Sequence, residues 1–179
     1  MAMYHQRGFN LIEVLIATVV LALGLLGVAG MQLTGIRNTQ GSYYRSQATT
    51  IMNDLAERMY ANTVGATNYG GFNSSACPAK PKSCELESVS ASSVAVCTPQ
   101  EMAAHDLYMT ACSSPNGVTN VLPSGQIQTD CLDNASGAVV ACATGSRMRI
   151  TVNWQERGTL ESASATQMEP QSINIVIQP

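Results

Sequence analysis

Apolar and polar positions fall into three regimes along the chain. From Phe9 to Leu33 almost every residue is apolar, and no charge occurs between Val14 and Met31. This run of 25 residues would be about 37 Å long as a helix, enough to cross a bilayer with some tilt. Beyond it, apolar residues recur at Tyr44, Ala48, Ile51, Leu55 and Met59, at spacings of 4, 3, 4 and 4. That stripe is one face of a helix. Asp54 and Arg58 form an i,i+4 pair on another face. No break separates the two regimes, so the pattern predicts one helix of some 53 residues, from about Phe9 to Ala61. Near the C-terminus the period changes to two. Met148, Ile150, Val152 and Trp154 alternate with Arg147, Arg149, Thr151 and Asn153, as in a half-buried strand. Ile173, Ile175 and Ile177 alternate in the same way and predict a last strand.

Between these regimes the signals are local. Residues 62–96 are rich in loop formers, including Tyr69-Gly70-Gly71. Thr98-Pro99-Gln100-Glu101 has a Thr cap, Pro at the first helical position and Glu at the third, and starts a short helix running to about Ala111. His105 and Asp106 are adjacent in it, point to different faces, and make a poor catalytic pair. Gln126 to Leu132 and Ala138 to Ala143 flank the turn composition Asp133-Asn134-Ala135-Ser136-Gly137 and predict a hairpin. About four antiparallel strands result, with the stripe ending at Met59 as their cover: an α+β head on a long helix.

Composition narrows the function. Charged residues are only 12% of the chain and apolar residues 45%, with nine basic against twelve acidic groups. No basic patch for nucleic acid is visible, and the apolar share is too high for disorder. Six cysteines, Cys77, Cys84, Cys97, Cys112, Cys131 and Cys142, lie among polar, loop-like neighbours. That setting suits disulfides in an oxidising compartment better than buried thiols in a reducing one. Nearest-neighbour pairing predicts Cys77 with Cys84, Cys97 with Cys112, and Cys131 with Cys142. No CxxC pair, phosphate loop or Ser/His/Asp spacing occurs, and the only histidines are His5 and His105. No catalytic residue, metal or cofactor is therefore expected.

One residue sits badly in the apolar run. Glu13 lies five positions into it, where an ionised carboxylate costs roughly 2.5–3.5 kcal/mol on insertion. It either reaches the headgroups from a helix end or meets a positive partner inside the apolar layer. An ordinary secretory signal would end near Val28-Ala29-Gly30, but Glu13 would interrupt the front of its apolar core and the helix pattern continues past Gly30. Gly24, Gly27, Gly30, Gly35 and Gly41 weaken the helix. They fit either close packing in a membrane or local unwinding in a fibre.

Gly8-Phe9-Asn10-Leu11-Ile12-Glu13, behind a short leader with Arg7, resembles the class III leader of type IV prepilins. The resemblance implies cleavage by a prepilin peptidase after Gly8, N-methylation of Phe9, and a role in assembly for Glu13. Phe9 and Glu13 are four apart and share a helical face, so the Phe9 ammonium of one subunit can pair with Glu13 of another. Over the head the chain is most similar to the PilV family of minor pilins, at Ala104-His105-Asp106-Leu107, Leu122-Pro123-Ser124-Gly125 and Met148 to Trp154. Ser124 stands where that resemblance implies glycine.

The expected organisation is a leader (1–8), a transmembrane and assembly half-helix (9–35), an amphipathic half-helix (36–62) and a periplasmic or extracellular head (63–179). The implied function is a non-enzymatic minor pilin acting in a priming or tip complex, in twitching motility and adhesion. Its implied partners are the prepilin peptidase, other minor pilins, the major pilin and the inner-membrane assembly platform. Arg7 keeps the N-terminus cytoplasmic, giving a single-pass inner-membrane protein that then enters the pilus. The competing readings are a type II secretion pseudopilin and a single-pass periplasmic enzyme.

Overall fold

A computed structural model describes residues 10–84, 96–157 and 168–179. Helix α1 runs Leu11–Ala61, then a 3-10 helix Thr63–Tyr69, α2 Pro99–Ala111, α3 Val118–Val121, and strands β1 Gln126–Leu132, β2 Val139–Val140, β3 Arg147–Arg157 and β4 Met168–Ile177. The chain divides after Gln40 into two compact units, Met1–Gln40 and Gly41–Pro179.

In the first unit α1 is apolar on every side. Leu15, Leu23, Leu26 and Met31 are each more than half exposed. A Cβ on Gly24, Gly27, Gly30 or Gly35 would meet nothing within 4 Å. The helix is long and apolar enough to cross a membrane. Its hydroxyls are closed off internally, with Thr18 Oγ1 donating to Leu15 O at 2.8 Å and Thr34 Oγ1 to Gly30 O at 3.2 Å. Hydrocarbon offers no other acceptor, so this is the economical arrangement there.

The second unit is the α+β head. Its sheet has the order β2-β1-β3-β4, with every neighbouring pair antiparallel. Met148, Ile150, Val152 and Trp154 point inward from β3 and are buried, as the period of two requires. They share one cluster with Ala48, Ile51, Met52, Leu55, Ala56 and Met59 of α1 and with Ala103, Leu107 and Ala111 of α2. The buried face of α1 is wider than the predicted stripe. Met52 and Ala56 belong to the cluster as well, and Tyr44 packs at its margin.

Two local features depart from the sequence expectations. The strand expected over Ala138 to Ala143 pairs only at Val139–Val140. The N-terminal part of β1 is instead edged by Gly71 to Ser74: Gly71 N donates to Thr129 O at 2.8 Å, Thr129 N to Phe72 O at 3.0 Å, and Ser74 N to Ile127 O at 3.0 Å. That segment occupies the edge β2 would have needed to extend. Thr129, fully buried, donates its hydroxyl to Tyr69 O and so ties the same segment down.

Candidate functional site

The segment expected to act in assembly is the start of α1. Asn10 O accepts from Glu13 N at 2.9 Å, which closes the first turn. Glu13 lies in that turn, exposed, where the helix dipole favours a carboxylate. It is the only charge between Leu11 and Ile36. Gly8 and Phe9, expected as the cleavage junction and methylated terminus, lie outside the described residues.

The head contains a polar network whose extent the sequence did not disclose. Arg58 Nε donates to Asp54 Oδ2 at 3.0 Å, the expected i,i+4 pair, and its Nη1 donates to Asp106 Oδ1 at 3.1 Å. Tyr69 Oη donates to Asp106 Oδ2 at 2.5 Å. Asn62 Nδ2 donates to Tyr69 Oη at 3.2 Å and to Pro99 O at 2.8 Å, while Asn62 Oδ1 caps the 3-10 helix through Gly65 N at 3.2 Å. One carboxylate thus joins α1, α2 and the 3-10 helix. His105 is buried beside it on the chain. The Asp106 carboxylate is used inside the fold, held by Arg58 and Tyr69.

Electrostatics follow from this packing. Burial works against the charge on Arg58, but its bonds to Asp54 and Asp106 outweigh that and raise its pKa. Burial also raises the Tyr69 pKa well above its ordinary value, and the bond to Asp106 adds to the shift. An unfolded phenol titrates near 10. The stability contributed by neutral Tyr69 is therefore complete below about pH 10 and is lost as pH rises above it. Tyr69→Phe should flatten this alkaline decline, measured as denaturant midpoint against pH from 8 to 11. An unchanged pH slope would show that Tyr69 does not set it.

Three disulfides hold the head: Cys77–Cys112, Cys84–Cys97 and Cys131–Cys142. The last, with Cα atoms 5.1 Å apart, joins β1 to the chain after β2, as expected. It lies against Gly70, where a Cβ would overlap Cys142 Sγ. The other two correct the nearest-neighbour expectation, since neither Cys77–Cys84 nor Cys97–Cys112 forms. The reason is geometric. Cys97 precedes the Thr98 cap and Cys112 is the C-cap of α2, a helix of 13 residues. Its ends are about 20 Å apart, far beyond the roughly 7 Å between Cα atoms that a disulfide allows. Cys112 therefore reaches back to Cys77, with Cα atoms 5.8 Å apart, and Cys84 closes on Cys97 at 5.9 Å. The α2 start itself is as expected: Glu101 N donates to Thr98 Oγ1 at 3.2 Å, and Thr98 N to Glu101 Oε2 at 2.8 Å. The bond from Thr98 N lowers the Glu101 pKa.

Leu122-Pro123-Ser124-Gly125 forms a β-turn, with Gly125 N donating to Leu122 O at 2.9 Å. Ser124 is its third residue and has φ 51°. Pro in second place and positive φ in third are the marks of a type II turn, which favours glycine at the third. Ser124, where the resemblance implied glycine, is thus strained. A Cβ on Gly125 would crowd Val118 O and Leu122 Cβ, so the two residues cannot exchange roles. Ser124→Gly should raise stability by about 1 kcal/mol, read as a higher urea midpoint with an unchanged slope. A lower midpoint would show that the Ser124 hydroxyl, 3.5 Å from Gln155 Oε1, matters more than the strain.

Residues 30–108 match a family model described as Type IV pilin Tt1218, and residues 3–29 match the prokaryotic N-terminal methylation motif. A long apolar N-terminal helix, an antiparallel sheet head and disulfides complete the correspondence. The chain has the type IV pilin fold. The methylation-motif match ends within the apolar half of α1, and the pilin match takes over at Gly30 and reaches past Asp106. No curated protein and no solved structure matches the chain.

Proposed function

We propose that this chain is a minor pilin, a non-enzymatic subunit of a type IV pilus. The observation that carries the proposal is the methylation motif over residues 3–29 on an α1 that is exposed, apolar and charged only at Glu13 before Arg37. A plain anchor has no use for that carboxylate. A subunit whose neighbour supplies an ammonium does. On this reading the prepilin peptidase cuts between Gly8 and Phe9 and methylates Phe9. Arg7 holds the leader in the cytoplasm, and the head is exported to where its disulfides form. Other pilins and the inner-membrane assembly platform are the partners. The minor rather than major role rests on the PilV resemblance at the segments ending in Gly125 and Trp154.

Mass analysis of the mature chain tests processing. The expected N-terminus is N-methylated Phe9, giving 171 residues from the 179 after removal of 1–8. Intact Met1, or a start at Met31, would refute it. Recovery of the chain from sheared pili at low abundance relative to the main subunit would support the minor role. Its absence from pili but presence with a secretion apparatus would assign it to the pseudopilins.

A further inference from the structure

The turn between α2 and α3 carries a chemistry that neither the polar network nor the disulfides use. Asn116-Gly117 is the one Asn-Gly pair in the sequence, and Asn116 is exposed to water. An asparagine amide is open to attack by the backbone nitrogen of the next residue, and a following glycine has no side chain to hinder the approach. In that reaction the Gly117 nitrogen gives up its proton and bonds to Asn116 Cγ. The bond from Cγ to Nδ2 breaks, and the side-chain nitrogen leaves as ammonia. Water then adds to either carbonyl of the five-membered imide and opens it. One product is aspartate, with the original main chain restored. The other is isoaspartate, whose main chain runs through the side chain and is one atom longer. Nothing is oxidised or reduced.

The folded turn opposes each part of this step. Gly117 N donates to Ser113 O at 2.7 Å. The proton that must leave is therefore held, and the anion left behind would face a carbonyl oxygen. Gly117 cannot swing freely toward the Asn116 side chain, because Gly117 O accepts from Asn120 N at 2.9 Å and from Val121 N at 3.1 Å. It is also boxed in, since a Cβ there would lie 2.8 Å from Ala111 O, Ser113 N and Ser113 O. Two side chains brace the same wall. Thr119 Oγ1 donates to Ala111 O and Asn120 Nδ2 to Ser113 O, each at 3.1 Å. The front of the turn is fixed by Cys112, which is bridged to Cys77.

We propose that Asn116 is a latent deamidation site, locked while Gly117 is bonded to Ser113 and released whenever this turn opens. The rate of conversion then follows the fraction of time the turn is open. The lock works once. Isoaspartate lengthens the main chain where Gly117 has no room to spare, so a turn that has reacted this way does not reclose. Aspartate fits the turn and adds a negative charge. Either change is permanent, and position 116 becomes a record of how often the head has opened at this point.

The test incubates the full detergent-solubilised chain at about pH 8 and follows the peptide containing Asn116 by mass. Isoaspartate-specific methylation divides the two products. The reduced, denatured chain gives the unlocked rate. The expected result is conversion at Asn116 about tenfold slower or more in the folded chain. Thr119→Val combined with Asn120→Ala removes both braces. That double variant should convert about threefold faster or more than the folded parent, with disulfides and circular dichroism unchanged. Asn116→Gln should show no conversion on the same timescale in either state, because its longer side chain closes an imide ring far more slowly. Equal rates in the folded and denatured parent would overturn the lock, as would a folded double variant no faster than the parent. A denatured chain that is stable at Asn116 would overturn the site itself. The comparison within the parent decides the matter alone if the double variant does not fold.

Discussion

Glu13→Ala is expected to remove the subunit from sheared pili while leaving its membrane pool, its disulfides and its head unchanged. The head core is built from Ile51, Leu55, Met59 and the sheet, and Glu13 belongs to the other compact unit. Removing a carboxylate from an apolar helix makes insertion easier, by up to roughly 2.5–3.5 kcal/mol. Assembly responds in the opposite sense. In a bundle of such helices the ammonium at Phe9 would lose its partner and be buried alone, at a cost of about 3–5 kcal/mol. A penalty of that size lowers incorporation more than a hundredfold. Counting subunits in pili against subunits in the membrane gives the ratio directly, and Glu13→Asp should recover part of it. Equal incorporation of Glu13→Ala and the parent would mean that Glu13 is only a helix-end carboxylate beside the headgroups.

The second large effect is expected in the head. Asp106→Ala deletes the acceptor shared by Arg58 and Tyr69. Tyr69 is fully buried and is left with a donor that has lost its acceptor. Arg58 is partly exposed and keeps Asp54, so its loss is discounted. The sum is about 2–3 kcal/mol, or roughly 6–12 °C in melting temperature for a head of this size. Asp106→Asn keeps one acceptor oxygen and should lose about half as much. Combining Asp106→Ala with Tyr69→Phe should recover part of the loss, because the buried donor is gone. Thermal melts of the detergent-solubilised chain decide this. A double variant less stable than the sum of its parts would show that the network is not the source of the effect.

What could be read from the chain depended on whether a signal was periodic or paired. The 51-residue α1 was legible because two apolar patterns of helical period join without a stop signal. β3 was legible from strict alternation, and α2 from a capping box that appears in the structure residue for residue. Asp106 was visible only as a charge on a short helix. Its partners Arg58 and Tyr69 lie 48 and 37 residues away, and no period links them. The Gly71 to Ser74 edge has a loop composition and gives no strand signal. One wrong pairing was avoidable, because the predicted α2 already kept Cys97 and Cys112 apart. Sequence proximity carried less information than the length of one helix. Ser124 became informative only once its φ was known.

The nesting of two disulfides has a consequence for resistance to proteolysis. Cys84–Cys97 lies inside the loop closed by Cys77–Cys112. A protease that cuts anywhere from residue 85 to residue 96 does not release a fragment, because the pieces remain joined by two covalent bridges. The nicked head keeps α1 and the 3-10 helix attached to α2 and the sheet. Such a cut should be silent on a non-reducing gel and should separate the chain into two bands only after reduction. A single cut in this stretch therefore leaves α1 doubly tied to α2 and the sheet, where a cut under Cys131–Cys142 leaves one bridge.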